Sequence, residues 1–178
     1  MPTEFAVAPP PKRARITMGV ICAMLLLMAA GLAVALAGRP ALAALVVALH
    51  LGLMGALVLA YRRRRIRIQD GCLQVAATLY TLRVPVAALE LEGARVARLE
   101  QDRSLQPFLK PNGFSIPGFH AGHFRSRGGT RLWALITADR VLVLPQREGR
   151  TLVLSPERPD ALLQALRQLA GRGPQAVR

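Results

Sequence analysis

The amino-acid sequence predicts an α+β membrane protein: an N-terminal transmembrane helical hairpin, then an antiparallel β-barrel or sandwich capped by a C-terminal α-helix. Three observations lead there. Hydrophobic residues make up 52% of the 178-residue chain although its formal net charge is +14, a pairing uncommon among soluble basic proteins. The apolar surplus is concentrated before Tyr61. Beyond Tyr61 the apolar residues recur first every second position and finally at helical spacing.

Residues 1–15 read as a basic N-terminal tail, with Lys12, Arg13 and Arg15 leading into the first apolar run. Ile16 to Ala37 holds no charged residue, and Ala41 to Tyr61 has His50 as its only ionisable group before the terminal tyrosine. Each run is about 20 residues, enough at about 1.5 Å per residue to cross a hydrocarbon core of about 30 Å. The link Gly38-Arg39-Pro40 is rich in helix-ending residues, so residues 16–61 are expected to form an antiparallel hairpin of helices 16–37 and 41–61. A pair of buried core helices is the alternative, but the remaining chain is too short to enclose two helices that are apolar on every face. A cleaved signal peptide, suggested by Ala35-Leu36-Ala37, has a shorter apolar core than this.

Cations flanking a span are retained on the cytoplasmic side. Here they stand before the first helix and, as Arg62, Arg63, Arg64, Arg65 and Arg67, after the second. Both termini are therefore expected in the cytoplasm, with the hairpin in the inner (cytoplasmic) membrane. Lys12, Arg13, Arg15 and Arg62 to Arg65 form the candidate membrane surface, clamping anionic head groups at roughly 1 kcal/mol per cation. Tyr61 fits the interfacial aromatic belt. Nucleic acid is not an expected partner, because a basic patch alone carries no sequence-reading signal.

Residues 62–171 read as one cytoplasmic domain, followed by a flexible tail over 172–178. Ile66 and Ile68 alternate with polar residues up to Asp70-Gly71, and Leu73 and Val75 resume the alternation, a hairpin signature. Further strands are expected at Leu79 to Val84, Leu89 to Leu99, Arg131 to Thr137, Val141 to Leu144 and Thr151 to Leu154, separated by Pro85, Ala138-Asp139-Arg140 and Arg147-Glu148-Gly149. The stretch between Leu99 and Arg131 reads as a long connection ending in a strand near Phe119 to Ser126. Its Phe108, Phe114, Phe119 and Phe124 must dock somewhere, either plugging an open barrel end or lining a partner groove. Ser155 is expected to cap the last helix, with Pro156 at its first position and Glu157 and Asp160 at its positive end. Leu162, Leu166, Leu169 and Ala170 make its apolar stripe, and Gly171 ends it.

The segment "NGFSIPGFHAGHFRSRGG" and the strands and "SPERP" helix start that follow it resemble the bacterial pleckstrin-homology-like (PH) domain family. The matching positions are Gly113, Pro117, Gly118, Phe119, Gly122, Phe124, Gly149, Ser155, Pro156 and Pro159. The resemblance implies a partly open barrel capped by a C-terminal helix, often attached to a membrane hairpin, and carries over no ligand site or catalytic residue.

Candidate chemistry is sparse. His120 and His123 form an H-x-x-H, but a third ligand would have to come from Asp102, Asp139 or Glu148 without helpful spacing. On a strand the two histidines point to opposite faces. His50 lies deep in the second span, where it either serves a transport function or hydrogen-bonds across the hairpin, with Ala48, Gly52 and Ala56 permitting close packing. Cys22 and Cys72 are too far apart to pair. No nucleophile elbow, phosphate loop or zincin motif occurs, so no cofactor, metal or catalysis is expected. The heavy use of Ala and Arg suits a GC-rich bacterial genome. The function these features favour is a membrane-anchored module that binds a protein partner or the lipid surface. The rivals are a membrane enzyme using the His120/His123 segment and an accessory subunit of an envelope or transport complex.

Overall fold

The computed structural model describes residues 3–171. The tail expected over 172–178 lies outside the described residues. Two apolar helices, α1 (Lys12–Ala35) and α2 (Pro40–Arg62), form an antiparallel pair, each long and apolar enough to cross a membrane, with a mean hydropathy of 2.5. Their large side chains face outward, Leu27, Val34 and Leu59 being 73%, 77% and 70% exposed, as a lipid-facing surface requires. Helix α1 begins at Lys12, earlier than the apolar run itself, because its first turns bury Ala14 and Met18 against the β domain. The stripe Ala48, Gly52 and Ala56 is exposed rather than packed between the helices. His50 directs Nδ1 to the Val46 carbonyl of its own helix, 2.8 Å away, not across the hairpin.

The segment read from sequence as a basic N-terminal tail contains a strand. β1 (Thr3–Phe5) pairs antiparallel with β2 (Arg64–Gln69), placing Phe5 opposite Ile66. β2, β3 (Cys72–Ala77) and β4 (Tyr80–Pro85) continue the meander, so the first sheet has the order β1-β2-β3-β4. The Asp70-Gly71 turn has positive φ at both residues, 51° and 69°, the geometry the hairpin signature calls for. Val7 bridges to Pro156, and its two neighbours hold the chain in place: Ala8 N–H donates to the Ser155 carbonyl and Glu157 N–H to the Ala6 carbonyl, each at 2.9 Å. An unpaired edge on β2 would leave a row of backbone groups open, and the N-terminal strand covers it.

The second sheet contains β5 (Arg95–Arg98), β6 (Pro107–Ile116), β7 (Phe119–Ser126), β8 (Arg131–Ile136), β9 (Arg140–Pro145) and β10 (Arg150–Leu154), in the order β5-β9-β10-β8-β7-β6. Every pairing is antiparallel except β8 with β10. Ile66, Leu73 and Val75 of the first sheet and Trp133, Leu142 and Leu152 of the second meet in one core, so the domain is a sandwich rather than a closed barrel. Leu132, Ala134, Val141, Val143 and Val153 form a second cluster on the other face, with Leu105. With both faces of β8 to β10 covered, these strands are continuous apolar runs, as doubly buried strands are.

Three expectations from sequence shift here. Only Arg95–Arg98 of the stretch Leu89 to Leu99 is strand, and Val86–Ala88 is a single 3₁₀ turn. The long connection holds a ten-residue edge strand, β6, with register shifts between Pro107, Leu109 and Asn112; prolines and bulges are tolerated on edges and blur alternation. Ser155 does not cap the last helix. It is fully buried, and its hydroxyl accepts from the N–H groups of Thr137 (3.1 Å) and Ala138 (3.3 Å), pinning the turn that crosses from β8 to β9. The helix, α3 (Pro159–Gly171), starts three residues after Pro156, with Pro159 in the first turn and Asp160 bound to Arg140 at 2.6 Å. It buries Leu162, Leu163 and Leu166, whereas Ala170 is exposed.

Leu166 is fully buried and Arg167 exposed. In the full chain, Leu166→Asp should cost about 3 kcal/mol or more and Arg167→Asp no more than about 0.5 kcal/mol, read by thermal unfolding in detergent. Deleting residues 1–8 should also lower the melting temperature. A deletion that melts like the parent would show β1 to be dispensable.

Candidate functional site

The site with the most unusual chemistry lies where α2 becomes β2. Arg62 is the last helical residue, Arg63 turns the chain into the extended region and Arg64 opens the strand. Because successive strand residues face opposite sides, the arginines divide. Arg64 shares the inward parity of Ile66 and Ile68. Its guanidinium lies 5.3 Å from the Tyr61 ring centroid and 6.0 Å from that of Phe119, and these two rings are 4.9 Å apart. Such cation–π contacts contribute about 0.5–2 kcal/mol each. Burial pulls the Arg64 pKa below its ordinary value, with Tyr61 opposing and Arg62 adding to the shift. One terminal nitrogen of Arg64 and the Tyr61 hydroxyl are buried without a hydrogen-bond partner among the described residues.

Arg65 and Arg67 take the outer face, where both reach Glu4 of β1, at 3.0 and 3.3 Å. Arg63 donates to the Thr78 carbonyl (3.0 Å) and the Thr81 hydroxyl (2.8 Å). Arg62 to Arg65, Arg67, Gln74, Ala76 and Thr81 line an open groove of about 350 Å³ that starts at the helix end. The turn between β3 and β4 sits beside it. There Thr78, held at φ 54° and by its N–H bond to the Arg63 carbonyl (2.9 Å), leaves Leu79 78% exposed next to the end of α2. A positive φ on a β-branched residue is strained. Lys12, Arg13 and Arg15 begin α1 on the same end of the hairpin, and Arg13 lies against the β6–β7 turn at Gly118.

The glycine-rich segment is structural in its geometry. Pro117 and Gly118 make the β6–β7 turn, and a Cβ on Gly118 would stand 2.6 Å from the Pro11 ring. Gly122, at φ 116°, pairs with Gly113, and its Cβ would meet the Gly113 Cα at 2.8 Å and the Asn112 carbonyl at 2.9 Å. Phe119 joins the main core, with Phe114 against it at 5.8 Å; Phe124 joins the second cluster; Phe108 stays 64% exposed beneath Arg127. Gly149 makes the β9–β10 turn, and Pro156 bridges to the N-terminal segment.

The two histidines do not converge. His120 packs edge-on against Phe124, with Nδ1 2.8 Å from the Ser115 hydroxyl across the β6–β7 pair, whereas His123 meets Tyr80. Among the described residues no carboxylate bonds to His120 and no cluster of three metal-ligating side chains occurs. The Ser115 contact is legible only once β6 is recognised as a strand. Cys22 and Cys72 are both free thiols.

These features define a class: a β-sandwich domain closed by a C-terminal helix and joined directly to an apolar helical pair. A sequence model of the bacterial PH domain matches residues 64–170, well over half of the chain, so the protein belongs to that family. The match starts at Arg64, where β2 begins, and ends within α3. No curated protein and no solved structure matches the chain.

Two outcomes follow. Gly122→Ala should cost about 2–4 kcal/mol, from a strained φ together with a backbone clash. Gly128→Ala, whose Cβ would meet nothing closer than 3.8 Å, should change stability by no more than about 0.5 kcal/mol; equal melting temperatures for the two variants would contradict this account. His120 has a pKa below the usual 6.5 because it is buried, Arg13 adding to the effect, and His123 shifts the same way. Below about pH 6.5 the unfolded chain therefore binds more protons than the folded one, and stability must fall as pH falls through that range. Melting at about pH 5 should come earlier than at about pH 7.5, and His120→Asn should flatten the difference.

Proposed function

We propose that this protein is a two-helix membrane anchor whose PH domain, on the cytoplasmic side, works by binding rather than by turnover. Its arginine groove receives the head groups of anionic lipids, and the rest of the domain surface is left for a protein partner. The observation that carries this reading is the groove at the end of α2. Five arginines line it, one of them with a buried nitrogen that has no hydrogen-bond partner among the described residues, and it opens where an apolar helix ends. A buried cation without a counter-charge is costly, and a lipid phosphate at this level supplies one. The exposed Leu79 beside the same helix end fits an apolar side chain dipping among head groups.

The same-side placement of the two termini is supported by β1, which precedes the hairpin yet pairs with β2, which follows it. Arginine counting assigns that side to the cytoplasm, and a reporter active only outside the cytoplasm, fused after Arg178, should stay silent. The lipid claim is tested by purifying the full chain in mild detergent from membranes containing anionic lipid and measuring the lipid retained. Replacing Arg62, Arg63, Arg65 and Arg67 by Gln should lower retained anionic lipid several-fold, and raised salt should do the same to the parent through screening. Arg64 is left intact because its stacking on Tyr61 and Phe119 holds the joint together. Retention equal to the parent's would remove the groove from the account.

A further inference from the structure

A second cationic feature lies on the six-stranded sheet, away from the residues of the helix-end groove. β7, β8 and β10 are adjacent, and their registers place Arg125 opposite Arg131 and Arg131 opposite Arg150. Three guanidinium groups therefore stand in one row on one face of three neighbouring strands. Like charges directly opposite each other across strands are destabilising. Among the described residues none of the three has a carboxylate within 4.0 Å, whereas Arg65, Arg67, Arg83, Arg95 and Arg140 all do.

The surroundings make this row a receptacle. His123 precedes Arg125 by two residues on β7, so it takes the same face. Arg150 is close enough to disfavour its protonation, after burial as the larger cause. Pro111 closes the opposite side, in the stretch of β6 where the register slips between Leu109 and Asn112. Together with Phe124 and Leu132, these residues bound an open depression of about 180 Å³.

We propose that this depression is a binding site for a phosphate group bearing two negative charges, carried either by a lipid phosphomonoester or by a soluble phosphate ester. Guanidinium groups bind phosphate through paired N–H donors in a planar fork, and a row of three presents more such donors than one dianion can take up. The side chains project from sheet strands rather than loops, so their spacing is fixed before any ligand arrives. An anion seated among the three arginines would offset the repulsion between them.

The test uses the full chain in phosphatidylcholine nanodiscs, titrated calorimetrically with inorganic pyrophosphate. Saturable binding is expected. Arg131→Gln, at the centre of the row, should weaken it at least tenfold, Arg125→Gln and Arg150→Gln should each weaken it, and Arg158→Gln, an exposed arginine just before α3 that lines neither depression, should leave it unchanged. Arg131→Gln should melt no lower than the parent, since it relieves repulsion; a clear loss of thermal stability would mark the row as structural and count against the site. Adding phosphatidic acid to the discs separates the two sources. Pyrophosphate binding blocked by that lipid in the parent identifies a lipid head group, and undiminished binding identifies a soluble ester. The proposal is overturned if the parent shows no saturable binding, if Arg131→Gln binds as tightly as the parent, if Arg158→Gln weakens binding as much as Arg131→Gln, or if binding is lost only on replacing Arg65 and Arg67.

Discussion

The packing of Arg64 against the paired rings of Tyr61 and Phe119 is the contact on which the rest of the architecture depends. From Tyr61 to Arg64 the chain passes from an apolar helix to a β-strand within four residues. Tyr61 ends the helix with an amphipathic ring. Arg64 starts the strand with a cation whose stem and guanidinium can lie on aromatic faces. Phe119, from the middle of the domain sequence, supplies the second ring. The α2–β2 passage thus has no flexible linker, and the position of the domain against the hairpin follows from packing.

Residues before and after the hairpin share the sandwich. Glu4 sits between Arg65 and Arg67, Ala8 bonds to Ser155, and the Thr137 hydroxyl donates to the Ala8 carbonyl at 2.6 Å. Ser155 is thereby bound on two sides, to the N-terminal segment and to the β8–β9 turn. The parallel pair β8–β10 exists because that turn carries the chain across the end of β10, and a buried hydroxyl accepts from the N–H groups of Thr137 and Ala138.

Much of this is legible in the amino-acid order, for physical reasons that differ by element. The hairpin helices declare themselves because lipid demands uninterrupted apolar length, and β2–β3 because Asp-Gly between alternating runs leaves few alternatives. β8, β9 and β10 are visible as apolar runs, although their parallel pairing is not, since contiguous burial says nothing about neighbour order. β6 escapes because Pro107 and Pro111 imitate a loop. β1 escapes because three residues carry no period, and its only hint is Glu4 in a segment otherwise poor in acids. At the joint, the arginine cluster is plain from sequence, but its division into one stacked member and several groove members needs the strand parity. The row Arg125, Arg131 and Arg150 is invisible in one dimension, because it exists only through strand registers.

The β1–β2 pairing makes the sandwich a discontinuous domain with a membrane hairpin inserted into it. A chain in which only one helix crossed would hold β1 and β2 in different compartments, leaving the β2 edge bare and Arg65 and Arg67 without Glu4. Closure of the first sheet therefore requires Thr3–Phe5 and Arg64–Gln69 to meet on one side of any membrane that the two helices cross, and a chain that fails this leaves an open strand edge.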